Sequence, residues 1–253
     1  MEKAINPDNE RLGTAQNPEV RSAQGGDQRV FRNDAEIFEF VRTHLRVSLV
    51  CDLLDSIGYR NRAMHHRLRP ILPDVRNCGF VGRARTLRWA AWTDYVEEDL
   101  HRGGVDAIDT LNLDDVVVIA GDPRGSCAMW GEVLTTIAMQ NGAVGCVCDG
   151  AIRDAAAIIE MGFPVYCAAV RPLDSMGRSR VIAWDVPVEC GEVLVHHGDL
   201  VFADFDGIVS VPQEVEHFVL RAALDRIQAE NDIREQSRDD KSLGQALGRY
   251  RIM

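Results

Sequence analysis

The sequence predicts a single α/β domain, because helical and strand signals alternate through the middle of the chain. The β-branched runs at 116–119 and 144–148 are typical of buried strands. Between them, residues 131–140 predict a helix that closes at Asn141-Gly142. Short strands separated by turns then cluster between 181 and 211. With 253 residues and no internal repeat, this order favours one α/β domain over two linked domains.

The other elements follow from the same signals. Asn33 is a candidate N-cap for a first helix, since apolar residues follow it at helical spacing. A second helix is predicted at 48–57, ending at Gly58. The further predicted elements are strands at 80–89, 114–120 and 165–170, a helical stretch at 95–100 and a long amphipathic helix at 213–234. The predicted domain spans 31–235, between a polar N-terminal arm (1–30) and a polar C-terminal tail (236–253).

Composition restricts the function. The formal net charge of −11 argues against a nucleic-acid partner. Only Lys3 and Lys241 are lysines, and both lie near the chain ends, so a Schiff base on a buried lysine is not expected. Carbonyl chemistry would need a metal or general acid–base groups. No apolar leader or bilayer-length stretch is present, which predicts a cytoplasmic protein with no membrane partner.

The cysteines predict buried, reduced thiols rather than disulfides or a metal site. Their number is odd, none forms a CxxC pair, and most lie in apolar runs. None has a clear catalytic context. The seven are Cys51, Cys78, Cys127, Cys146, Cys148, Cys167 and Cys190.

The stretch 144–162 carries the first candidate site. Asp149-Gly150 is a turn signal that is expected to stop the strand, and a helix is expected to begin at Arg153-Asp154 and end at Gly162. Ligands of open α/β folds collect beyond the carboxyl ends of strands. Arg153 could bind an anionic substrate there, and Asp154 a metal or a proton. The alternative is a surface arginine beside an aspartate that the helix dipole favours.

The loop 121–132 is the second candidate. Gly121, Gly125 and Gly131 allow backbone N–H groups to approach an anion, and a helix begins at Gly131. The loop matches neither a Walker A motif nor a GxGxxG fingerprint. Glu132 is either a residue favoured by the helix dipole or a group that acts through water on a bound metal.

Other polar motifs are expected to be structural. The adjacent pairs His65-His66 and His196-His197 would point to opposite strand faces, so neither suits a metal. The segment 204–207 has acids at alternate positions, but it predicts a hairpin turn rather than a calcium loop.

Several spaced motifs keep an order that resembles a known family, over roughly residues 40 to 235. They are Gly131-Glu132 before a helix, Gly145-x-Val147-x-Asp149-Gly150-x-x-Arg153-Asp154, Pro164-Val165, Pro187-Val188, Gly198-Asp199-Leu200-Val201 and Asp204-x-Asp206-Gly207-Ile208-Val209-x-Val211-Pro212. This pattern resembles the family named for regulator of ribonuclease activity A (RraA). That family includes divalent-metal 4-hydroxy-4-methyl-2-oxoglutarate / 4-carboxy-4-hydroxy-2-oxoadipate aldolases.

The resemblance implies an α-β-β-α sandwich of the RraA-like swivelling β/β/α type, assembled as a homotrimer or a pair of trimers. It implies that Asp154 binds Mg²⁺, Mn²⁺ or another divalent cation, and that Arg153 holds the keto-acid end of a small anionic 2-oxo acid. It also implies a substrate-carboxylate cradle and an acid from the C-terminal helix of a neighbouring subunit, for which Glu230 is the candidate. The cradle would be the backbone of Gly131, Glu132, Val133 and Leu134, with Glu132 also near the waters of the metal.

The implied chemistry agrees with the composition. Cleaving a carbon–carbon bond β to a ketone leaves an enolate, and without a Schiff-base lysine its charge needs a Lewis acid and fixed donors. One carboxylate plus waters suits Mg²⁺. The same site would decarboxylate oxaloacetate to pyruvate. Two alternatives stay open: a protein-binding regulator of a ribonuclease, or a metal enzyme of this fold with a different substrate. Family members often carry a lysine in the segment 174–180, and this chain has none there, which is a departure from the family pattern.

Overall fold

A computed structural model describes residues 31–92, 102–121 and 126–236, with side chains described except at 102–103 and 228–236. The predicted arm 1–30, the helical stretch predicted at 95–100 and residues 237–253 of the predicted tail lie outside the described residues. The proposed domain boundaries therefore stay predictions.

Six helices and eleven strands are found in the described part of the chain. The helices are α1 Asp34–His44, α2 Val47–Ser56, α3 Arg102–Asp109, α4 Glu132–Gln140, α5 Ala155–Met161 and α6 Gln213–Gln236. The strands are β1 Arg69–Pro70, β2 Phe80–Ala91, β3 Asp115–Ala120, β4 Ala128–Trp130, β5 Gly145–Ile152, β6 Val165–Val170, β7 Ser179–Trp184, β8 Val188–Cys190, β9 Val193–Val195, β10 Leu200–Asp204 and β11 Gly207–Val211.

Most predicted elements are confirmed. The Asn33 side chain caps α1 by accepting a hydrogen bond from the backbone N–H of Glu36 at 3.0 Å. β6 has the predicted bounds, and β2, β3, α4 and α6 differ from prediction by a few residues. Asp204 and Gly207 face each other across the predicted hairpin turn between β10 and β11. The sequence did not predict α3 or the three-residue strand β4.

The sheet places four parallel strands at its centre. Its order is β1-β6-β5-β3-β2-β10-β11, and β4 and β7 pair with β5 and β2. The pairs β2–β3, β3–β5, β5–β6 and β4–β5 are parallel, whereas β1, β7 and β10 run antiparallel to their neighbours. The carboxyl ends of β2, β3, β5 and β6 therefore meet at one edge of the sheet.

Both faces of this centre are covered, which explains the continuous apolar runs in the sequence. In β3, Val117 and Ile119 pack in the cluster that includes residues of α3, α4 and α5. Val116 and Val118 pack on the opposite face, in the cluster that includes the β8–β9 hairpin. Helices α1, α2 and α6 form a third cluster with β10 and β11. Among the helices described, none combines the length and apolar character that crossing a bilayer requires.

Asp149-Gly150 does not stop the central strand, so this prediction was wrong. β5 continues to Ile152, and its register with β6 shifts between Cys148 and Ala151, as at a β-bulge. The buried Asp149 carboxylate accepts hydrogen bonds from the Arg67 guanidinium at 2.8 Å and from the Gly191 N–H at 2.9 Å. These distant partners satisfy the acid inside the strand, and a sequence window around Asp149 does not contain them.

Replacing Asp149 with Ala is expected to lower the free energy of unfolding by about 2 kcal/mol, because it leaves Arg67 and the Gly191 N–H without their acceptor. Arg67 is partly exposed, so water recovers some of this loss. Urea unfolding followed by circular dichroism measures the change. The same substitution at the exposed Asp206 is the control and should have little effect. Equal stability of the two variants would contradict the structural role of Asp149.

Candidate active site

A cavity of about 550 Å³ opens beside the carboxyl ends of the parallel strands. Trp89 lies near the end of β2, Arg153 and Asp154 directly follow β5, and Asp174 follows β6. The N-terminal end of α4 forms another wall. The cavity is lined by six of the seven residues predicted for the site, namely Gly131, Glu132, Val133, Leu134, Arg153 and Asp154. The structure thus brings the two candidate motifs together, while the role of each residue stays a prediction.

Asp154 has an unusual backbone at the start of α5. It occupies the N-cap position, but its φ of 56° and ψ of 34° are left-handed, and its side chain makes no capping hydrogen bond. Asn61, Asp114, Asp185 and Glu192 also have positive φ, so this backbone alone does not mark a functional site. The Asp154 side chain does not cap α5 but lines the cavity, and the alternative of an aspartate favoured by the helix dipole stays open.

Arg153 is held in place from three directions. Its backbone N–H donates to the Trp130 carbonyl at 2.9 Å. Its guanidinium Nη1 donates to Asp174 Oδ2 at 2.8 Å, and Nε lies 3.5 Å from Asp154 Oδ2. The sequence did not identify Asp174 as a partner, because twenty intervening residues separate it from Arg153. These contacts fix the direction of the guanidinium.

The carboxyl group of Asp174 is stabilised in its charged form. Partial burial raises its pKa, but the Met176 N–H and the Arg153 guanidinium outweigh this effect. The net result is a pKa below the ordinary value for aspartate. Asp174 therefore stays anionic at neutral pH and keeps its ion pair with Arg153.

The first turn of α4 offers backbone donors to the cavity. The first hydrogen bond within α4 is donated by the Thr135 N–H to the Gly131 carbonyl at 3.0 Å. The N–H groups of the three residues before Thr135 therefore have no partner within the helix. A Cβ atom on Gly131 would lie 3.1 Å from Asp154 Oδ2 and 3.2 Å from Arg153 Cγ. Glycine thus lets the helix start approach both side chains closely, which suits the binding of a carboxylate.

The donor set at Asp154 fits a hydrated magnesium-type ion. No group of three or more His, Cys, Asp or Glu side chains in the described ranges is arranged to hold a metal. A zinc site would need such a group. Mg²⁺ keeps several waters and is often bound through one or two carboxylates. The uncapped carboxylate of Asp154, close against Gly131, matches that requirement, and metal binding there stays a prediction.

Glu230 and the first part of the glycine loop are not among the described residues that line the cavity. Glu230 belongs to α6, whose described side chains pack against α1 and α2 rather than line the cavity. The Glu230 side chain lies outside the described residues, so its contribution from a neighbouring subunit stays a prediction. In the glycine loop, residues 122–125 also lie outside the described residues. Gly121 lies against the backbone of Trp89, and a Cβ atom on Gly121 would be 1.9 Å from the Trp89 carbonyl oxygen.

The cysteines give no sign of a reactive thiol. All seven are free, and Cys146 and Cys148 are buried together in the core, as predicted from their shared strand face. Burial raises the pKa of both thiols well above the ordinary value. Neither is therefore a thiolate at neutral pH.

A known family model matches more than half of the chain. The model of RraA-like proteins, described as Aldolase/RraA, matches residues 47–210. The chain belongs to the RraA-like family. A solved structure from Streptomyces coelicolor, described as an unusual member of the RNase ES inhibitor RraA protein family, is 28% identical with a TM-score of 0.67. It covers 81% of this chain and 98% of its own, which confirms the predicted family fold.

Curated relatives of the RraA-like chain carry different names. A protein from Halalkalibacterium halodurans named "Putative 4-hydroxy-4-methyl-2-oxoglutarate aldolase" is 31% identical over 172 residues, covering 67% of this chain and 77% of its own. Protein DlpA of Legionella pneumophila is 30% identical over 200 residues, or 76% of this chain. That match spans only 31% of DlpA, so DlpA is a much longer protein.

Proposed function

We propose that this RraA-like protein is a divalent-metal-dependent carbon–carbon lyase that releases pyruvate from a small 2-oxo acid, by retro-aldol cleavage or by decarboxylation. The observation that carries the proposal is the placement of Arg153 and Asp154 against the N-terminal turn of α4, in one cavity. The aldolase names of relatives at about 30% identity support the same class of reaction.

The keto-acid end of the substrate binds between Arg153 and α4. The free N–H groups of the first turn, with the positive end of the helix dipole, hold the substrate carboxylate. Arg153 donates to the adjacent 2-oxo oxygen, and Asp174 prevents the guanidinium from turning away. This geometry presents a fixed positive charge where the enolate oxygen develops. Electrostatic stabilisation of this kind is usually the largest single contribution to lowering the activation barrier.

Bond cleavage requires the removal of one proton and the stabilisation of one negative charge. In 4-hydroxy-4-methyl-2-oxoglutarate, the hydroxyl on the fourth carbon loses its proton, the bond between the third and fourth carbons breaks, and its electron pair enters the pyruvate enolate. The electron pair of the O–H bond forms the carbonyl of the departing fragment, which is a second pyruvate. Glu132 accepts the hydroxyl proton through a water molecule and returns it by the same route to the enolate carbon, which gives the first pyruvate. Decarboxylation of oxaloacetate releases CO₂ and forms the same enolate, which then takes its proton from water. A divalent cation held by Asp154 would supply Lewis-acid stabilisation of the enolate charge.

The proposal predicts metal-dependent pyruvate release. Pyruvate should form from 4-hydroxy-4-methyl-2-oxoglutarate and from oxaloacetate in the presence of Mg²⁺, stop when EDTA is added, and resume when excess Mg²⁺ is restored. A coupled lactate dehydrogenase assay measures it. Mg²⁺ without protein is the necessary control for oxaloacetate. Turnover that persists in EDTA would contradict the metal requirement, and absence of turnover with either substrate would contradict the pyruvate-forming reaction.

Regulation of a ribonuclease is the second candidate, because the Streptomyces coelicolor relative is described through RNase ES inhibition. The grouping of Arg153, Asp154 and the start of α4 in one cavity favours the enzyme over a protein that acts only through its surface. Mg²⁺ binding that disappears on Asp154→Asn would favour the enzyme. Absence of both metal binding and turnover would favour the regulator.

A further inference from the structure

The cavity contains a second arginine that the proposed chemistry does not use. Arg180, on β7, lines the cavity together with Arg153. Its guanidinium carbon lies 3.5 Å from the centroid of the Trp92 ring. Its Nε is buried and has no hydrogen-bond acceptor among the described residues. The side chain thus brings a positive charge to the cavity, and no acid among the described residues pairs with it.

Arg180 differs in this respect from the other arginines that are buried or partly buried in the sheet. Arg67 pairs with Asp149, Arg85 pairs with Asp185, and Arg83 pairs with two acids. Arg180 forms no ion pair with any carboxylate in the described part of the chain, although the formal net charge of the protein is −11. The buried Nε of Arg180 lacks an acceptor among the residues described, which is costly, and an anionic ligand in the cavity would offset that cost.

The contact with Trp92 prepares Arg180 to bind an anion. The indole covers the flat face of the guanidinium and leaves its N–H groups, which lie in the guanidinium plane, free to donate. Those N–H groups match the two oxygen atoms of a carboxylate. Stacking also reduces the rotational freedom that binding would otherwise remove.

Two indoles belong to the wall of the same cavity. Trp89 and Trp130 both line it, and both are largely buried. Their N–H groups have no acceptor among the described residues, but both nitrogen atoms are covered from solvent, so the anion is assigned to Arg180 alone.

We propose that Arg180 binds a second carboxylate of the substrate, the one that departs with the fragment leaving the pyruvate enolate. The inference rests on the proposed function, because it takes the keto-acid end to lie at Arg153. Both substrates named for the proposed function are 2-oxo dicarboxylic acids, and the new element is that Arg180 selects such an acid over a 2-oxo acid with an apolar distal end.

Binding of unreactive 2-oxo acids tests this inference without turnover. The probes are two pairs matched in chain length, 2-oxoglutarate against 2-oxopentanoate and 2-oxoadipate against 2-oxohexanoate, measured by isothermal titration calorimetry with Mg²⁺ present. Pyruvate reports on the keto-acid end alone. At one chain length or both, the wild type should bind the dicarboxylate about tenfold more tightly than its partner, as expected for a charge-assisted hydrogen bond.

The variant Arg180→Met should lose this preference while its affinity for pyruvate stays unchanged. Arg178→Met is the matched control, because Arg178 is exposed, bonds to the carbonyl oxygens of Asp174 and Met176 and does not line the cavity. It should keep the preference. Arg180→Lys should keep part of the preference for dicarboxylates, since lysine keeps the positive charge but lacks the planar guanidinium with its paired N–H donors.

The outcomes separate this inference from the proposed function. Pyruvate binding without a dicarboxylate preference, or a preference that survives Arg180→Met, would overturn the role of Arg180 and leave the lyase proposal standing. If the wild type does not bind pyruvate, the lyase proposal fails. Binding of glutarate, which lacks the 2-oxo group, then tests Arg180 alone. If the wild type binds glutarate and Arg180→Met binds it more weakly, Arg180 forms an anion site. If glutarate binds both proteins equally or does not bind the wild type, that site is overturned.

Discussion

Replacing Asp154 with Asn is expected to lower kcat/KM for pyruvate release by about a thousandfold, because a bound cation supplies several kcal/mol of transition-state stabilisation. Asn has nearly the size of Asp and also tolerates the left-handed backbone at this position. The variant should therefore fold normally and lose mainly the negative charge that holds the ion. The coupled pyruvate assay at several Mg²⁺ concentrations measures the loss.

The matched control is Asp206→Asn, which makes the same change at an exposed turn residue that does not line the cavity. It should keep wild-type activity. Titration calorimetry with Mn²⁺ provides a second readout, since Asp154→Asn should also weaken metal binding. An Asp154→Asn variant that retains activity within tenfold of the wild type would show that another group holds the cation.

Replacing Gly131 with Ala is expected to lower kcat/KM by about a hundredfold, the loss typical of a misplaced reacting group. The added methyl group would lie 3.1 Å from Asp154 Oδ2 and 3.2 Å from Arg153 Cγ. Either side chain would have to move by a few tenths of an ångström, away from the helix that it faces. The backbone itself accepts alanine, because φ at Gly131 is −171°, an extended value open to any residue.

A proper control for this glycine is Gly207→Ala, since no described atom lies within 4 Å of a Cβ at that position. Both variants should have melting temperatures close to that of the wild type, which separates a local effect from a folding defect. Wild-type activity in Gly131→Ala would mean that the close approach of α4 to the Arg-Asp pair has no part in the reaction.

The α/β class and most elements were predictable, because the signals that define them are local. The β-branched run of β3 and the cap at Asn33 each lie within a few residues of sequence. The Arg153-Asp154 pair was recognisable for the same reason, since a buried strand directly precedes it. Its meeting with Gly131 was implied by the family resemblance and not by local signals, since β4, which ends just before Gly131, was not predicted.

Features that depend on distant partners were not predictable. Asp149 forms hydrogen bonds with Arg67 and Gly191 inside the strand, so the prediction of a turn at Asp149-Gly150 was wrong. β4 exists because it pairs with the extended end of β5. Arg180 appeared in the sequence only as the last residue of the segment 174–180, which was noted for lacking a lysine. Its importance depends on stacking against Trp92 and on the lack of an ion pair with any described acid, and neither is visible in a single stretch of sequence.

The left-handed backbone at Asp154 also limits how the protein can evolve. Bulky and β-branched residues are poorly tolerated there, so most replacements would disturb the turn between β5 and α5. Asn and Gly fit the conformation best, and each can be reached from an aspartate codon by a single-base change. Such a change would remove the carboxylate and leave the scaffold intact. Descendants of an enzyme with this turn could thus lose their chemistry in one step and persist as folded proteins available for a binding role.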